Sequence, residues 1–503
     1  MSIWPVLPVL LPALAAAGLV LLRAHLVVQR AVSLIACIAL IAIACRLLVE
    51  ADSGSQIVYA LGDWRPPFGI VLVVDRLSAL MLLVTALLAL PAVLSACGGE
   101  DDRGPFFHPL VQFQLMGLNG AFLTGDLFNL FVFFEVLLIA SYCLLLHGQT
   151  DRRLRAGLHY VTINLVGSSL FLIAAALLYG MTGTLNLADL ATAIPRLDAS
   201  AKLLVHSGAL LLLVVFALKA AVFPLLLWLP PTYSTAAASV AALFAIMTKV
   251  GIYAIVRIYP LVFGPAAGEA APNLELWILP AALLTMTCGA LAALASRRLA
   301  GVAAQLTLVS SGTILVGAAL FTSAALSAAL YYLAHSTFAG ALLFLVSGLI
   351  AAQRGERADA LRRAVPLRHP HLSGLLFLLA AAAVAGIPPL SGFLGKTMLL
   401  QAVIDHDAVS WIWLAILATS FLAIIALMRG GMLAFWATPA RAEPIRDTGS
   451  LGPTLLGAGV LLLLVLLVSV AAEPIKRYTD AAAGQLLDTT SYIRSVMVTG
   501  GRP

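Results

Sequence analysis

Long, mostly apolar runs recur from one end of this 503-residue chain to the other, and they fix the medium in which it can fold. About 20 apolar residues in helical form cross a hydrocarbon layer about 30 Å thick. Inside that layer no water is available for the backbone, so each crossing segment must satisfy its own N–H and C=O groups as a helix. Fourteen such segments are read: 3-22, 29-49, 69-97, 105-124, 126-147, 156-182, 203-229, 236-262, 275-295, 300-322, 326-352, 372-403, 408-428 and 453-472. With 62% apolar and 10% charged residues, no water-soluble domain of this length is in view. The fold class is an all-α polytopic membrane protein.

The basic residues test the segment order, because cytoplasmic loops carry the excess of Lys and Arg. Arg23, Arg30, Arg103, the Arg152–Arg155 cluster, Arg297, Arg298, the arginines between Arg354 and Arg368, Arg429, Arg441 and Arg446 all fall in one alternate set of loops. The opposite set holds only Arg46, Arg65, Arg196, Lys202 and, at its margin, Arg257. This places both termini on the outer side of a cell (inner) membrane. The net charge of +6 thus reflects topology, not nucleic-acid binding. The first segment lacks a basic n-region and a small-residue cleavage site, so it is read as a retained helix.

Against that background the lysines stand out. Only five occur, and Lys219, Lys249 and Lys396 lie inside apolar runs. An ammonium near the bilayer centre costs about 2.5 to 3.5 kcal/mol even on the lenient insertion scale, so three of them point to a pathway. One buried carboxylate, Glu135, and one histidine in the eleventh segment, His335, join them. The five cysteines are scattered singly, and neither a metal-ligand cluster nor a nucleotide or redox-cofactor motif is found. No cofactor and no metal are expected. His108, His159 and His206, near segment ends, read as interfacial or structural.

Two lysine-bearing segments are also interrupted. The seventh contains Pro224, and the twelfth contains Pro388 and Pro389 between Gly386 and Gly392. Proline removes a donor and clashes with the preceding turn, so these helices should break and leave free carbonyls beside a cavity or polar partners. Two such helices five segments apart suggest inverted five-helix repeats. The expected division is 1-98, an N-terminal three-helix part; 105-263, the first repeat; 275-428, the second; and 453-503, a last helix with a polar tail.

Three stretches carry a resemblance: TGDLFNLFVFFEVLLIASYCLL (124-145), FPLLLWLPPTYSTAAASVAALFAIMTKVGIYAI (223-255) and AGIPPLSGFLGK (385-396). They closely resemble the D subunits of Mrp- or Pha-type multisubunit cation/proton antiporters, homologous to the antiporter-like subunits of respiratory complex I. The resemblance implies fourteen helices with a broken helix in each repeat. It also implies a polar axis at Glu135, Lys219, Lys249 and Lys396, with His335 as a relay between halves. Related chains often have aspartate where Pro231 stands, and a lysine where Ala339 stands.

The expectation is therefore a secondary-transporter component, not an enzyme, that provides a proton route for Na+ or K+ exchange against H+, with the cation's route through this subunit or a partner left open. Its expected partners are the A, B, C, E, F and G subunits of such a complex, or an A/B fusion. The alternative is a proton-pumping subunit of a complex I-like or hydrogenase redox complex. Glu135 and Lys219 are expected to lie close enough to interact across the fifth and seventh helices. Asp126 and Asn129 read as an entrance to Glu135 or as a helix cap, and Asp75 beside Arg76 as a local ion pair, a subunit contact or a pathway support. The sequence does not name the cation.

Overall fold

The computed structural model describes residues 3–355, 358–362, 366–436 and 451–498. Arg357, Arg363, Arg441 and Arg446 lie outside the described residues. The chain opens with α1 (Leu7–Leu21), α2 (Leu26–Asp52), a hairpin of β1 (Ile57–Ala60) and β2 (Val71–Val74), then α3 (Arg76–Ala96). Next come α4 (Phe107–Leu123), α5 (Leu127–Leu146), α6 (Asp151–Thr182), the short α7 (Leu187–Ala193), α8 (Ala199–Lys219), α9 (Leu229–Thr235), α10 (Ala238–Phe244) and α11 (Met247–Val262). The remainder is α12 (Leu274–Ala295), α13 (Leu299–Leu320), α14 (Ser323–Arg354), α15 (Pro370–Ala385), α16 (Ser391–Ala402), α17 (Val409–Gly431), α18 (Gly452–Val470), α19 (Ala472–Leu487) and α20 (Thr489–Val498).

Every one of the expected apolar segments is occupied by helix, and eleven helical stretches among the described residues are long and apolar enough to cross a membrane. The stretch Ala238–Val262 is buried over its whole apolar window, and Ser323–Arg354 over 89% of it, so these two form the middle of the bundle. Peripheral helices such as α17 and α18 turn large apolar side chains outward, including Trp411, Leu417, Leu463 and Val470, as a lipid-facing surface requires.

The third segment starts later than expected. Residues 71–74 are not helical: Val71 pairs with Ala60 and Val74 with Ile57 in an antiparallel ladder. A run of β-branched valines suits a pleated strand, and Asp75 then sets the helix start through a capping box with Ser78, whose N–H it accepts at 2.9 Å. The polar tail is likewise built into the fold. Gln485 of α19 accepts from the Arg76 N–H and donates to the Gly54 carbonyl, and Thr479 and Asp480 bond Ser327 of α14. Since Trp4 packs under Arg46 near the end of α2, the described N- and C-terminal segments lie at the same end of the bundle.

The proline-bearing breaks are present, and their freed backbone groups have partners. After α8 the Leu218 carbonyl accepts from Trp228 Nε1 at 3.0 Å, and the Phe223 N–H donates to Thr285 Oγ1 of α12 at 2.8 Å. Between α15 and α16, Gly386 adopts φ +82°, a left-handed turn open to glycine, and the Ser391 N–H donates to Ser469 of α18 at 2.8 Å. A further interruption, between α10 and α11 at Ala245–Ile246, has no proline to announce it.

At the opposite end from the termini, the loop after α3 ties four helices together. Asp101 takes Arg30 of α2 in two hydrogen bonds of 2.6 and 2.8 Å and meets His108 of α4 at 3.1 Å, while the Glu100 carboxylate accepts the Ala238 and Ser239 N–H groups at the start of α10. Burial alone would raise the Asp101 carboxyl, but the hydrogen bonds from Arg30 and His108 outweigh it and hold it below its ordinary value. A carboxyl lowered by folding adds stability above its unfolded value and loses it as pH falls through the folded one. Asp101→Asn should therefore cost the purified complex about 1–3 kcal/mol near neutral pH and progressively less in acid. Thermal unfolding at both pH values checks this, and an equal deficit at both would contradict it.

Candidate functional site

The lysine farthest along α8 is also its last residue. Lys219 is 8% exposed, and its ammonium donates to Asn164 Oδ1 of α6 at 3.1 Å. Asn164 is held for this by its own Nδ2, which donates to the Tyr160 carbonyl at 2.9 Å. One turn on, Ser168 donates to Glu135 Oε1. Residues four apart share a helix face, so α6 presents one polar group to each partner. Glu135 and Lys219 are near enough to interact electrostatically but do not meet within the 4.0 Å of an ion pair. The two interact without direct contact, each held by its own side chain of α6, whose signal was NLVGSS inside an apolar run.

Lys249 stands differently. It is fully buried, and its Nζ has no hydrogen-bond partner among the described residues. It also sits in the first turn of α11, where the positive end of the helix dipole opposes a cation. What brings α11 against the end of α8 is Gly251: a Cβ there would lie 2.6 Å from the Ala220 nitrogen and 2.7 Å from the Phe216 carbonyl. Only glycine lets α11 pass so close to the broken end of α8.

The second break repeats this arrangement with other residues. Lys396, 7% exposed, donates to the Ala385 carbonyl at the end of α15 and to Ser420 Oγ of α17, each at 2.9 Å. His335 of α14 is 1% exposed, with Nδ1 2.8 Å from Ser391 Oγ at the start of α16. Gly392 permits this approach, since a Cβ there would lie 2.7 Å from His335 Nε2. A cavity of about 20 Å³ lined by His335, Lys396, Thr307, Ser310 and Tyr332 lies between the two basic groups, room for about one water.

Pro224 lies within the first break and Pro388 and Pro389 within the second, where neither disturbs a continuing helix. Asp126 is the cap of α5, accepting from the Asn129 N–H at 2.8 Å, and Asn129 Nδ2 donates to Thr124. They are bound to each other's turn, about 13 Å (Asp126) and about 9 Å (Asn129) along the helix from Glu135. Asp75 does not pair with Arg76. Its partner is Arg257 of α11, in a buried two-pronged contact of 2.5 and 2.7 Å, while Arg76 reaches Asp52. Arg257, read at the margin of a loop, is inside the bundle because Tyr253 and Asp75 satisfy it there.

The comparisons with known proteins fit this geometry. Residues 124–425, which hold both broken helices and all four lysine and glutamate positions, match the family described as NADH:quinone oxidoreductase/Mrp antiporter, TM. A probable K(+)/H(+) antiporter D subunit of Rhizobium meliloti (strain 1021) is 41% identical over 90% of this chain and 88% of its own length. The Na(+)/H(+) antiporter D subunit of Alkalihalophilus pseudofirmus is 38% identical over 98% of this chain and 99% of its own. The chain belongs to the family of Mrp antiporter D subunits. In three dimensions it overlies a chain of the Mrp complex from Dietzia sp. DQ12-45-1b with a TM-score of 0.87 at 29% identity, covering 99% of this chain and 100% of that one. Like other members it is a multi-pass membrane component of a multisubunit antiporter.

The close crossing of α11 on α8 gives a direct test of the packing. Gly251→Ala should destabilise the assembled complex by about 1–3 kcal/mol, as overpacking does, whereas Gly340→Ala, whose added carbon meets nothing within 4 Å, should be harmless. Thermal unfolding of the two variants side by side decides, and equal stability would show that the crossing is not tight.

Proposed function

We propose that this protein conducts protons, in exchange for Na+ or K+, along the row Glu135, Lys219, Lys249, His335 and Lys396. The observation that carries the reading is that three buried ammonium groups and one imidazole occur at or beside helix breaks, Lys249 with no hydrogen-bond partner and the others with small polar ones, and none with a compensating ion pair of its own among the described residues. Groups held this way can exchange a proton without dismantling a salt bridge. The two halves of the row belong to inverted repeats at 105-263 and 275-428, flanked by 1-98 and 453-503. In each, a break turns one helix C-terminus toward a lysine: Lys219 ends α8 itself, and Lys396 donates to the last residue of α15.

The arginine-rich end of the bundle is cytoplasmic in this reading, and the end bearing both termini is outer. The cation crosses in the assembled complex with its partner subunits, so the isolated chain is expected to be inactive. The relatives named for K+ and for Na+ support a monovalent cation without choosing between them.

Two substitutions test the reading in everted vesicles carrying the assembled complex. Glu135→Ala removes the charge that faces Lys219 across α6 and should lower antiport at least about tenfold, equivalent to about 1.4 kcal/mol; full antiport would count against the row. At Lys396 an arginine keeps the charge but does not release its proton at usable pH. Lys396→Arg should therefore lose antiport while Lys396→Glu, which titrates, keeps more of it. Wild-type antiport in a correctly assembled Lys396→Arg complex, checked by native gel, would show that only fixed charge is needed there.

A further inference from the structure

One buried charge pair lies off the row and is not used by it. Lys249, Tyr253 and Arg257 recur every fourth residue of α11, so they line one face over about 12 Å. At its far end the Arg257 guanidinium, 6% exposed, grips both oxygens of Asp75, 2% exposed, at 2.5 and 2.7 Å. Tyr253 joins the pair to the rest of the face: its hydroxyl accepts from Arg257 Nε at 3.3 Å and donates to the Phe122 carbonyl at 2.6 Å. Above the guanidinium lies the ring of Tyr492, contributed by α20, at 5.5 Å. Tyr478 and Gln485 of α19 bond the Arg76 backbone beside it, so the C-terminal helices cover this end of the face.

The side of α11 between the pair and Lys249 is dry. The space next to it is a void of about 10 Å³ lined only by residues such as Leu77, Met81, Ile252, Val256 and Leu330, with Tyr253 at its edge. Such a void, apolar and no larger than one water, stays empty. A seal made only to be permanent would be better built from apolar side chains, because a buried ion pair recovers little more than its own desolvation. A charged seal has a second state: with Asp75 withdrawn, the guanidinium needs new partners, and water is the available one.

We propose that the Asp75–Arg257 pair is a latch that closes the outer route to Lys249 and must open during transport. Neither residue carries the transported proton; both act by setting water access to the face of α11 that holds Lys249. The word outer rests on the topology proposed above, whereas the latch itself does not.

The test is water access to residue 252, read by mass spectrometry of the peptide that carries it after treating vesicles of either orientation with a membrane-impermeant thiol reagent. In the assembled complex Ile252→Cys should be protected. Adding Asp75→Asn, which keeps the helix cap but frees the guanidinium, should make the cysteine react at least about tenfold faster from the outer face, as exposure controls thiol reactivity. Arg257→Lys, which keeps the charge and loses the two-pronged grip, should expose it too and serves if Asp75→Asn fails to assemble. Asp75→Asn with Arg257→Met should restore protection yet leave antiport at least about tenfold below wild type, because that seal has no open state. Continued protection in both single variants, or wild-type antiport in the double variant, would overturn the latch. Reaction only from the opposite face would keep the latch and overturn the topology, so the two readings fail separately.

Discussion

An ammonium group in a dry helix bundle needs an acceptor, and most of this structure is the record of where acceptors were found. Lys219, the last residue of the broken helix α8, obtains its acceptor from Asn164 of α6, and Lys396 obtains one from the last carbonyl of the broken helix α15. Lys249 obtains none among the described residues and faces the positive end of its own helix. Its charged form is thus the least supported of the three, and it stands between the other two in the proposed row.

Magnitudes explain why such an arrangement can be driven. A cation at a helix C-terminus gains about 0.3–1 kcal/mol, and up to about 2 in partly buried geometry. One elementary charge crossing the whole membrane potential is worth about 2.3 kcal/mol per 100 mV. These are comparable, so the field can shift a proton between sites whose support is a carbonyl, a serine or an asparagine. It could not easily do so against a buried ion pair, whose disruption costs about 3–5 kcal/mol. The same comparison separates Asp75 and Arg257 from the row: their two-pronged contact is too strong for a stepping stone and suited to a latch.

Much of the fold and site was legible because membrane-spanning helices advertise themselves by composition and because intramembrane charge is rare. The prolines of both breaks could be read for the same reason, since proline cannot continue a helix. What escaped was set by contacts between distant segments. The Val71–Val74 strand reads like the start of a helix until Ile57–Ala60 is placed beside it. Asn164 and Ser168 look like ordinary small polar residues in a long helix until α6 is packed between Lys219 and Glu135. Arg257 looks like a loop arginine until Asp75, 182 positions away, reaches it. Gly251 has no local signature at all, and its reason is the backbone of another helix.

If Lys249 is kept in a place that disfavours its charge because it must carry a proton, Lys249→Met separates that role from one in the fold. Methionine conserves volume and removes only the amine, so the complex should assemble and melt at the same temperature as wild type or higher, since an unpartnered buried charge contributes nothing to stability. Antiport measured on the same preparation in everted vesicles should be absent. A complex that keeps wild-type antiport, or one that loses thermal stability along with it, would contradict the account by showing that Lys249 serves the fold and not the proton.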